Sequence, residues 1–420
     1  MVTKLYMLRQ KLVLSGFLHV FSANIISYFV AFCGSIAYAR LLGARDFGIY
    51  AFSYNIITFF LLVNGFGAAS GVLQFVSRNP SNSGLQLSYL KYSFKLGLSF
   101  NLLLSLGIIV YAYTVSIPIP GSRNLLLLMA FFPLGRLYID IFQAYLRATQ
   151  DNKRLARFAL SSNLILLCSN IFGIYVYGLR GFVISTYLSY AVVILLATYI
   201  YKLPNLIKIV QEKLDTQEFI SYSIYATIGN AFAQLLFILD IFLLAYIIKD
   251  ATIVAAYKVA TVIPFALNFI PGIVSTFFYP YFAKNATNLG YIRSLRRKVQ
   301  YGMLAFALPT SLILMLLAKP LILFIFGTQY GQSVLPFQIL TFGFWIVATF
   351  RTINGNILAS LGKAKTAMWL NVVIVSINIL LTYALVKVYG IVGAAVGVVA
   401  IYILAGALAT IALNQVLSRK

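Results

Sequence analysis

Twelve apolar runs of roughly 20 to 28 residues, separated by short polar breaks, occupy nearly the whole chain. They lie at about 13–38, 48–76, 92–115, 124–148, 157–178, 182–203, 220–248, 254–283, 299–326, 334–358, 366–387 and 391–415. Each is long enough, as a helix, to cross about 30 Å of hydrocarbon. No water is available there to satisfy an open backbone, so runs of this length dictate helices. The expected class is therefore an all-α integral membrane protein with about twelve transmembrane helices. Composition agrees: 61% of residues are hydrophobic and only 10% charged, against roughly 25% charged in soluble domains. The first run starts at Leu12 behind a basic stretch but continues to Tyr38. That is too long for the apolar core of a signal peptide, so it reads as a retained span.

The chain carries 32 basic and 8 acidic residues, a net charge of +24. In a soluble protein this would point to nucleic acid. In a membrane protein it is first a matter of topology, and no nucleic-acid partner is expected. With the N-terminus placed inside, 22 of the 32 Lys and Arg residues fall in inner segments and six in outer ones (Arg40, Arg45, Arg123, Arg180, Lys249, Lys387). The asymmetry predicts both termini on the cytoplasmic side.

The break between runs six and seven is distinct. Leu203, Leu206, Val210 and Leu214 recur at helical spacing among Lys and Glu residues, behind Pro204. This pattern predicts an amphipathic helix on the inner surface. It divides the chain into a lobe over 1–203, a linker over 204–219 and a lobe over 220–420. The halves resemble one another. Tyr177-Gly-Leu-Arg-Gly181 recurs 212 residues later as Tyr389-Gly-Ile-Val-Gly393, and Phe47-Gly-Ile-Tyr50 faces Val254-Ala-Ala-Tyr257 at an offset of 207. Two matches in one order favour a duplicated six-helix unit with its axis along the membrane normal, against chance similarity among apolar segments.

Charges left inside the runs are costly unless they face protein or a watery cavity. Arg136 and Asp140 are four apart on one helix face and can pair, either to let the helix pack or as part of a polar cavity. Arg351 has no acid nearby in sequence; it either reaches the inner interface or contributes with Arg136 to an anion site. Lys258 and Lys319 are expected to snorkel to an interface. Asp240 has no adjacent base. It either pairs with a Lys or Arg from another span, which is the favoured reading, or takes up H+ or Na+. Pro264 and Pro271 should interrupt the eighth run, and Asn64-Gly-Phe-Gly67 the second.

Several classes are excluded or disfavoured. Cys33 and Cys168 sit in apolar runs and His19 is the one histidine, so neither a disulfide framework nor a metal site is expected. No P-loop or Ser/His/Asp set stands out, and no cofactor is implied. A membrane glycosyltransferase, an O-antigen polymerase or ligase, would need a large outer loop, and the breaks here are short.

The residues also carry a resemblance. Arg40-Leu-Leu-Gly-Ala-Arg-Asp-Phe-Gly-Ile-Tyr50 is similar to the R-L-L-G-x-x-x-F-G-x-Y pattern of Wzx-type polysaccharide exporters, relatives of MATE drug exporters and of the lipid II flippase MurJ. Leu239-Asp240, Tyr257-Lys-Val-Ala260, Phe278-Tyr-Pro-Tyr-Phe282, Phe326-Gly-Thr-Gln-Tyr330, Leu361-Gly-Lys363 and Tyr389-Gly-Ile-Val-Gly-Ala394 resemble later segments of that family in order. The family often has Arg after the Asp of the seventh span, where this chain has Ile241, and twelve spans leave out the additional lipid groove of MurJ. The resemblance implies two pseudo-symmetric six-helix bundles around a V-shaped central cavity. It implies an undecaprenyl-pyrophosphate-linked oligosaccharide as substrate, an O-antigen or lipopolysaccharide repeat unit for instance, flipped by alternating access in a bacterial inner membrane. H+ or Na+ would be the coupling ion and a polysaccharide polymerase complex a partner. Arg136, Arg351 and Lys258 would then attract the pyrophosphate, Asp140 and Asp240 would couple ions or pair, and Arg40, Gly43, Arg45, Asp46, Gly48, Tyr50, Pro264 and Pro271 would form motif and gating positions. A MATE-like exporter of cationic drugs is the alternative on the same fold; its cavity should carry acids, and within the runs there are only Asp140 and Asp240.

Overall fold

The computed structural model describes residues 17–204 and 212–418. The residues at the centre of the expected amphipathic linker, Leu206 and Val210, lie outside them. In chain order the α-helices are α1 (Phe17–Leu61), α2 (Ala68–Arg78), α3 (Ser83–Thr114), α4 (Ser122–Leu128), α5 (Phe132–Ala148), α6 (Asn152–Tyr199) and α7 (Thr216–Leu235). They continue as α8 (Leu239–Ile248), α9 (Ala251–Leu267), α10 (Phe269–Lys284), α11 (Leu289–Leu316), α12 (Ala318–Ile325), α13 (Val334–Ile346), α14 (Ile353–Ser360) and α15 (Ala364–Ser418).

Among the described residues, seven stretches are long and apolar enough to cross a membrane, and the bent pair α4 and α5 makes an eighth. Three stretches are double length, and each is divided by a glycine in a non-helical conformation: Gly43 in α1, Gly178 in α6 and Gly390 in α15. Counting those three twice, with α7 and α8 supplying one more, gives twelve passes. Side chains such as Leu316 and Phe324 stand 83% and 82% exposed, a surface that only lipid can cover. The protein is an all-α, multi-span membrane protein.

Helix starts are set by side-chain caps in the polar breaks. Asn82, Asp151, Asp250 and Asn288 each accept a hydrogen bond from a backbone N–H of the following first turn. These caps lie 6 to 11 residues before the corresponding apolar runs in three of the four cases. The helices therefore extend beyond their hydrocarbon-embedded parts. One consequence is that Arg293, Arg296, Arg297 and Lys298, which lie before the ninth apolar run, sit on α11.

The chain divides into two compact units. Unit 1 takes in the described residues up to Leu42, Ile56–Ile117 and Gly121–Ala231; unit 2 takes in Gly43–Asn55, Pro118–Pro120 and the described residues from Phe232 onward. Unit 1 has a core of Phe75, Phe94, Phe142, Phe158 and Phe219 with their neighbours. Phe219, at the start of α7, lies 5.3 Å from the Phe75 ring and stacks on Tyr89 at 5.7 Å. Gly71 admits it: a Cβ there would come within 2.3 Å of the ring. In unit 2, Leu236 packs with Ile374, Val375, Ile401 and Ala405.

The two halves of the repeat match in backbone detail. Gly178 has φ 56, ψ −135 and Gly390 has φ 56, ψ −131, 212 residues apart. Side chains rarely adopt this conformation. A Cβ on Gly181 would lie 1.8 Å from the carbonyl oxygen of Gly173, and one on Gly393 2.0 Å from that of Leu385, which are again residues at the same offset. Ser185 donates to Asn170 at 2.8 Å, and at the equivalent positions Gly397 faces Thr382. The same tight helical hairpin has been built twice.

Candidate functional site

In unit 1 the second pass is broken where the sequence predicts. Asn64–Gly67 is a single 3-10 turn in which Gly65, Phe66 and Gly67 all have positive φ. A polar network fills the break. The amide of Asn64 donates to Asp140 Oδ2 at 3.0 Å, and Asn101 donates to Asn64 Oδ1 and to the carbonyl of Pro133, both at 2.7 Å. Asn101 Oδ1 accepts the backbone N–H of Gly65 at 2.8 Å. Asp140 completes the chain with Arg136, Nε to Oδ1 at 3.0 Å. The Arg136 side chain is 48% exposed against 28% for Asp140. Asp140 thus orients the Arg136 guanidinium, and Asn64, in the broken helix, supplies the amide that satisfies the carboxylate's second oxygen.

In unit 2, Asp240 lies in the first turn of α8 and is fully buried. The favoured sequence reading paired it with a base. Its hydrogen-bond partner is instead a phenol: Tyr257 on α9, also fully buried, donates to Oδ2 at 2.6 Å. Oδ1 has no hydrogen-bond partner among the described residues. Lys258 is next on α9. It is half-buried and within electrostatic reach of Asp240, though not in a direct ion pair. Arg351 is half-buried over the ring of Phe237, 5.9 Å from its centroid, a cation–π contact. It sits in a π-helical turn, Val347–Thr352, between α13 and α14, a distortion often found where a helix carries a functional side chain. Among the described residues no carboxylate pairs with Arg351. The chain has no Asp or Glu at all after Asp250, against thirteen Lys and Arg.

Several of the motif residues make close packing contacts. Gly43 turns the chain with φ 72 between the first two passes. Phe47 is buried, 6.3 Å from the fully buried Tyr330, so two segments that resemble the exporter family meet in one core. Gly48 lies against the start of α9: a Cβ would be 1.8 Å from the carbonyl oxygen of Ala251. Tyr50 stacks on Phe47 at 5.8 Å and on Tyr54 at 5.6 Å. Arg40 and Arg45 are exposed and Asp46 is half-buried. Pro264 is buried within α9, and Pro271 lies in the first turn of α10, where its missing N–H costs nothing. The interruption itself falls at Asn268, between the two helices.

The structure brings Arg136 together with Asp140, and Asp240 with Tyr257 and Lys258. Sequence reasoning missed Asn101 as a network centre and Tyr257 as the partner of Asp240. An Asn in the middle of a strongly apolar run was the available signal for the first; nothing local signalled the second beyond the motif that contains it.

The fold is shared with transporters of known structure. The chain superimposes on an inward-facing multidrug resistance MATE family transporter of the MOP superfamily with a TM-score of 0.76, at 13% identity over 94% of each chain. It superimposes on lipid II flippase MurJ, in an inward closed conformation, with a TM-score of 0.74 at 16% identity, covering 94% of this chain and 87% of that one. A MOP superfamily transporter from Pyrococcus furiosus, described as having a binding pocket of reversed polarity, gives 0.66 at 10% identity over 96% and 95%. In sequence, the chain is 22% identical over 408 residues to an uncharacterised membrane protein of Methanocaldococcus jannaschii, covering 89% of this chain and 79% of that one. These likenesses agree with the resemblance to Wzx-type exporters of the MOP superfamily. The match to the family model described as polysaccharide biosynthesis protein runs over residues 37–335, well over half of the sequence, and the chain belongs to that family.

Proposed function

We propose that the protein is a flippase, not an enzyme, and that it moves an undecaprenyl-pyrophosphate-linked oligosaccharide from the cytoplasmic to the outer leaflet of a bacterial cytoplasmic membrane. The observation that carries this reading is Arg351: a half-buried guanidinium in a membrane-spanning π turn, with no carboxylate to neutralise it. A buried cation without a counter-charge is strongly disfavoured unless an anion visits it. Arg136, paired with Asp140 and about half exposed, offers a second cation. A pyrophosphate suits both, because guanidinium binds phosphate oxygens in pairs. Membership of the polysaccharide biosynthesis family supplies the sugar. The polyprenyl tail would remain in lipid while the headgroup crosses.

Asp240 is the candidate coupling group. Its one open oxygen, in a buried position beside Lys258 and Tyr257, can accept H+ or Na+. The lobes of the expected repeat, 1–203 and 220–420 joined by 204–219, would alternate access, and both termini would lie in the cytoplasm. Export of cationic drugs is opposed by the charge balance after Asp250.

The test is translocation of labelled undecaprenyl-pyrophosphate oligosaccharide in proteoliposomes, with and without an imposed H+ or Na+ gradient. Movement above that of protein-free vesicles is expected, faster with one gradient. No movement with folded protein, together with uptake of cationic dyes, would replace this reading with drug export.

A further inference from the structure

Unit 2 contains a second cationic site, around Arg293, Arg296 and Arg297. A cavity of about 530 Å³ opens between the start of α11, the π turn and the end of α15, lined by Arg293, Arg296, Arg297, Gln300, Tyr301 and Asn414 among others. If these arginines served topology alone, their side chains would point into water. Two of them turn inward. Arg296 donates to Asn354 Oδ1 at 3.1 Å and to Asn414 Oδ1 at 2.6 Å, and Arg293 donates to the carbonyl of Leu417. Gln300 donates to the same Asn354 Oδ1 at 3.0 Å, and the Asn354 amide in turn donates to Thr410 at 2.8 Å. Arg296 is thus positioned by neutral amides, which fix its plane without cancelling its charge. Arg297 makes no hydrogen bond or ion pair among the described residues.

None of the chain's eight acids pairs with any of the three arginines; the ion pairs formed involve Arg78, Arg136 and Arg154. The three charges lie close together in the second and third turns of α11. Packing three guanidinium groups there is unfavourable unless an anion completes the set. Depth identifies the anion. A helix of 28 residues spans about 42 Å, some 12 Å more than the hydrocarbon. The excess is about eight residues, and Arg293 to Arg297 fall within the first nine of α11. With its apolar part in the hydrocarbon, α11 would carry them near headgroup level, and the cavity places them beside the last turn of α15.

We infer that this cavity binds the phosphate of an anionic membrane lipid, held by Arg293, Arg296 and Arg297, with Gln300 and Asn414 at its edge. Arginine forks match phosphate oxygens in pairs, and the floor of the cavity, Thr349 and Phe350, belongs to the same π turn as Arg351. The site is independent of what the protein transports.

The test uses purified full-length protein in detergent, with thermal unfolding followed as phosphatidylglycerol, phosphatidylcholine or inorganic phosphate is added. Phosphatidylglycerol is expected to raise the unfolding midpoint by several degrees, with phosphatidylcholine doing much less. Arg297→Gln and the double variant R296Q/R297Q should weaken the phosphatidylglycerol effect by about tenfold or more, the scale of one to two charge-assisted hydrogen bonds. Lys298→Gln removes the same charge from the same helix but does not line the cavity, and it should leave the effect unchanged. Equal losses in K298Q and R297Q would reduce the phenomenon to general surface charge and overturn the site. Stabilisation by inorganic phosphate as strong as by the lipid would overturn the lipid assignment and leave a soluble phosphate site. Arg297, exposed and free of internal bonds, keeps the test valid should R296Q fail to fold.

Discussion

The phenol of Tyr257 donates a 2.6 Å hydrogen bond to the carboxylate of Asp240, with both residues fully buried within one unit of a membrane protein. Removing the phenol leaves the carboxylate with no side-chain hydrogen-bond donor. Tyr257→Phe should therefore destabilise the protein by about 1–3 kcal/mol, the cost of an unsatisfied buried polar group, seen as a lower midpoint of unfolding in detergent. Asp240→Asn keeps an acceptor for Tyr257 and should fold, but it cannot exchange a proton or hold a cation by charge. Gradient-stimulated transport should be lost in Asp240→Asn while basal exchange persists. If the gradient still drives transport in that variant, Asp240 is a structural residue.

Arg136→Ala and Arg351→Ala should each slow translocation by about tenfold or more, the scale of a lost charge-assisted contact to phosphate. Stability should change little at Arg136. Its pair with Asp140 is a partly exposed i, i+4 bridge of a few tenths of a kcal/mol, and Asn64 still satisfies the carboxylate. Normal transport in both variants, with normal unfolding, would remove these cations from the mechanism.

The fold was largely legible in the sequence, because a hydrocarbon solvent admits so few solutions. The apolar runs gave the passes, the Asn64–Gly67 break appeared where Gly and Asn interrupt an apolar run, and the Tyr-Gly-x-x-Gly pairs marked a hairpin now seen twice. Helix ends were less legible. Hydropathy reports only the embedded part, whereas Asn82, Asp151 and Asn288 cap helices that begin earlier, in the polar breaks. For the same reason Arg293, Arg296 and Arg297 counted only as inner-segment charges, although they line a cavity. The partner of Asp240 could not be read from charge pairing, since a phenol satisfies a carboxylate without an opposite charge.

The matched hairpins predict matched costs. Gly178 and Gly390 share a conformation that an L side chain adopts only with strain, and the space around them is open: nothing lies within 4 Å of a Cβ at Gly178, and Ile248 Cδ1 is 4.0 Å away at Gly390. The cost of Ala is therefore conformational, about 1–3 kcal/mol at either site, and should be nearly equal in the two variants. Gly181→Ala and Gly393→Ala should cost more, because each methyl would overlap a backbone carbonyl and force the two helices apart. Thermal unfolding of the four variants checks both the ranking and the pairing; unequal losses at Gly178 and Gly390 would show that the two copies have diverged in energy if not in shape.

Asp250 caps α9 from the loop after α8, accepting from the Thr252 hydroxyl and N–H, both at 2.7 Å, and from Ile253 N–H at 3.3 Å. The Thr252 hydroxyl bond, above all, holds this carboxyl below its usual range, and the small burial penalty opposes it. Asp250→Ala should cost about 1 kcal/mol at neutral pH. Because the folded state holds the proton less tightly than the unfolded chain, the ionised cap stabilises the protein at pH values above the ordinary Asp range near 4. The difference in unfolding midpoint between the parent and Asp250→Ala should therefore stay constant from pH 8 to about pH 5, then shrink as the pH falls through the depressed value. Asp250→Asn, a neutral cap of equal quality, should retain most of the stability and show no such narrowing relative to Asp250→Ala. A gap that widens on acidification would mean that Asp250 is held by something other than these three donors.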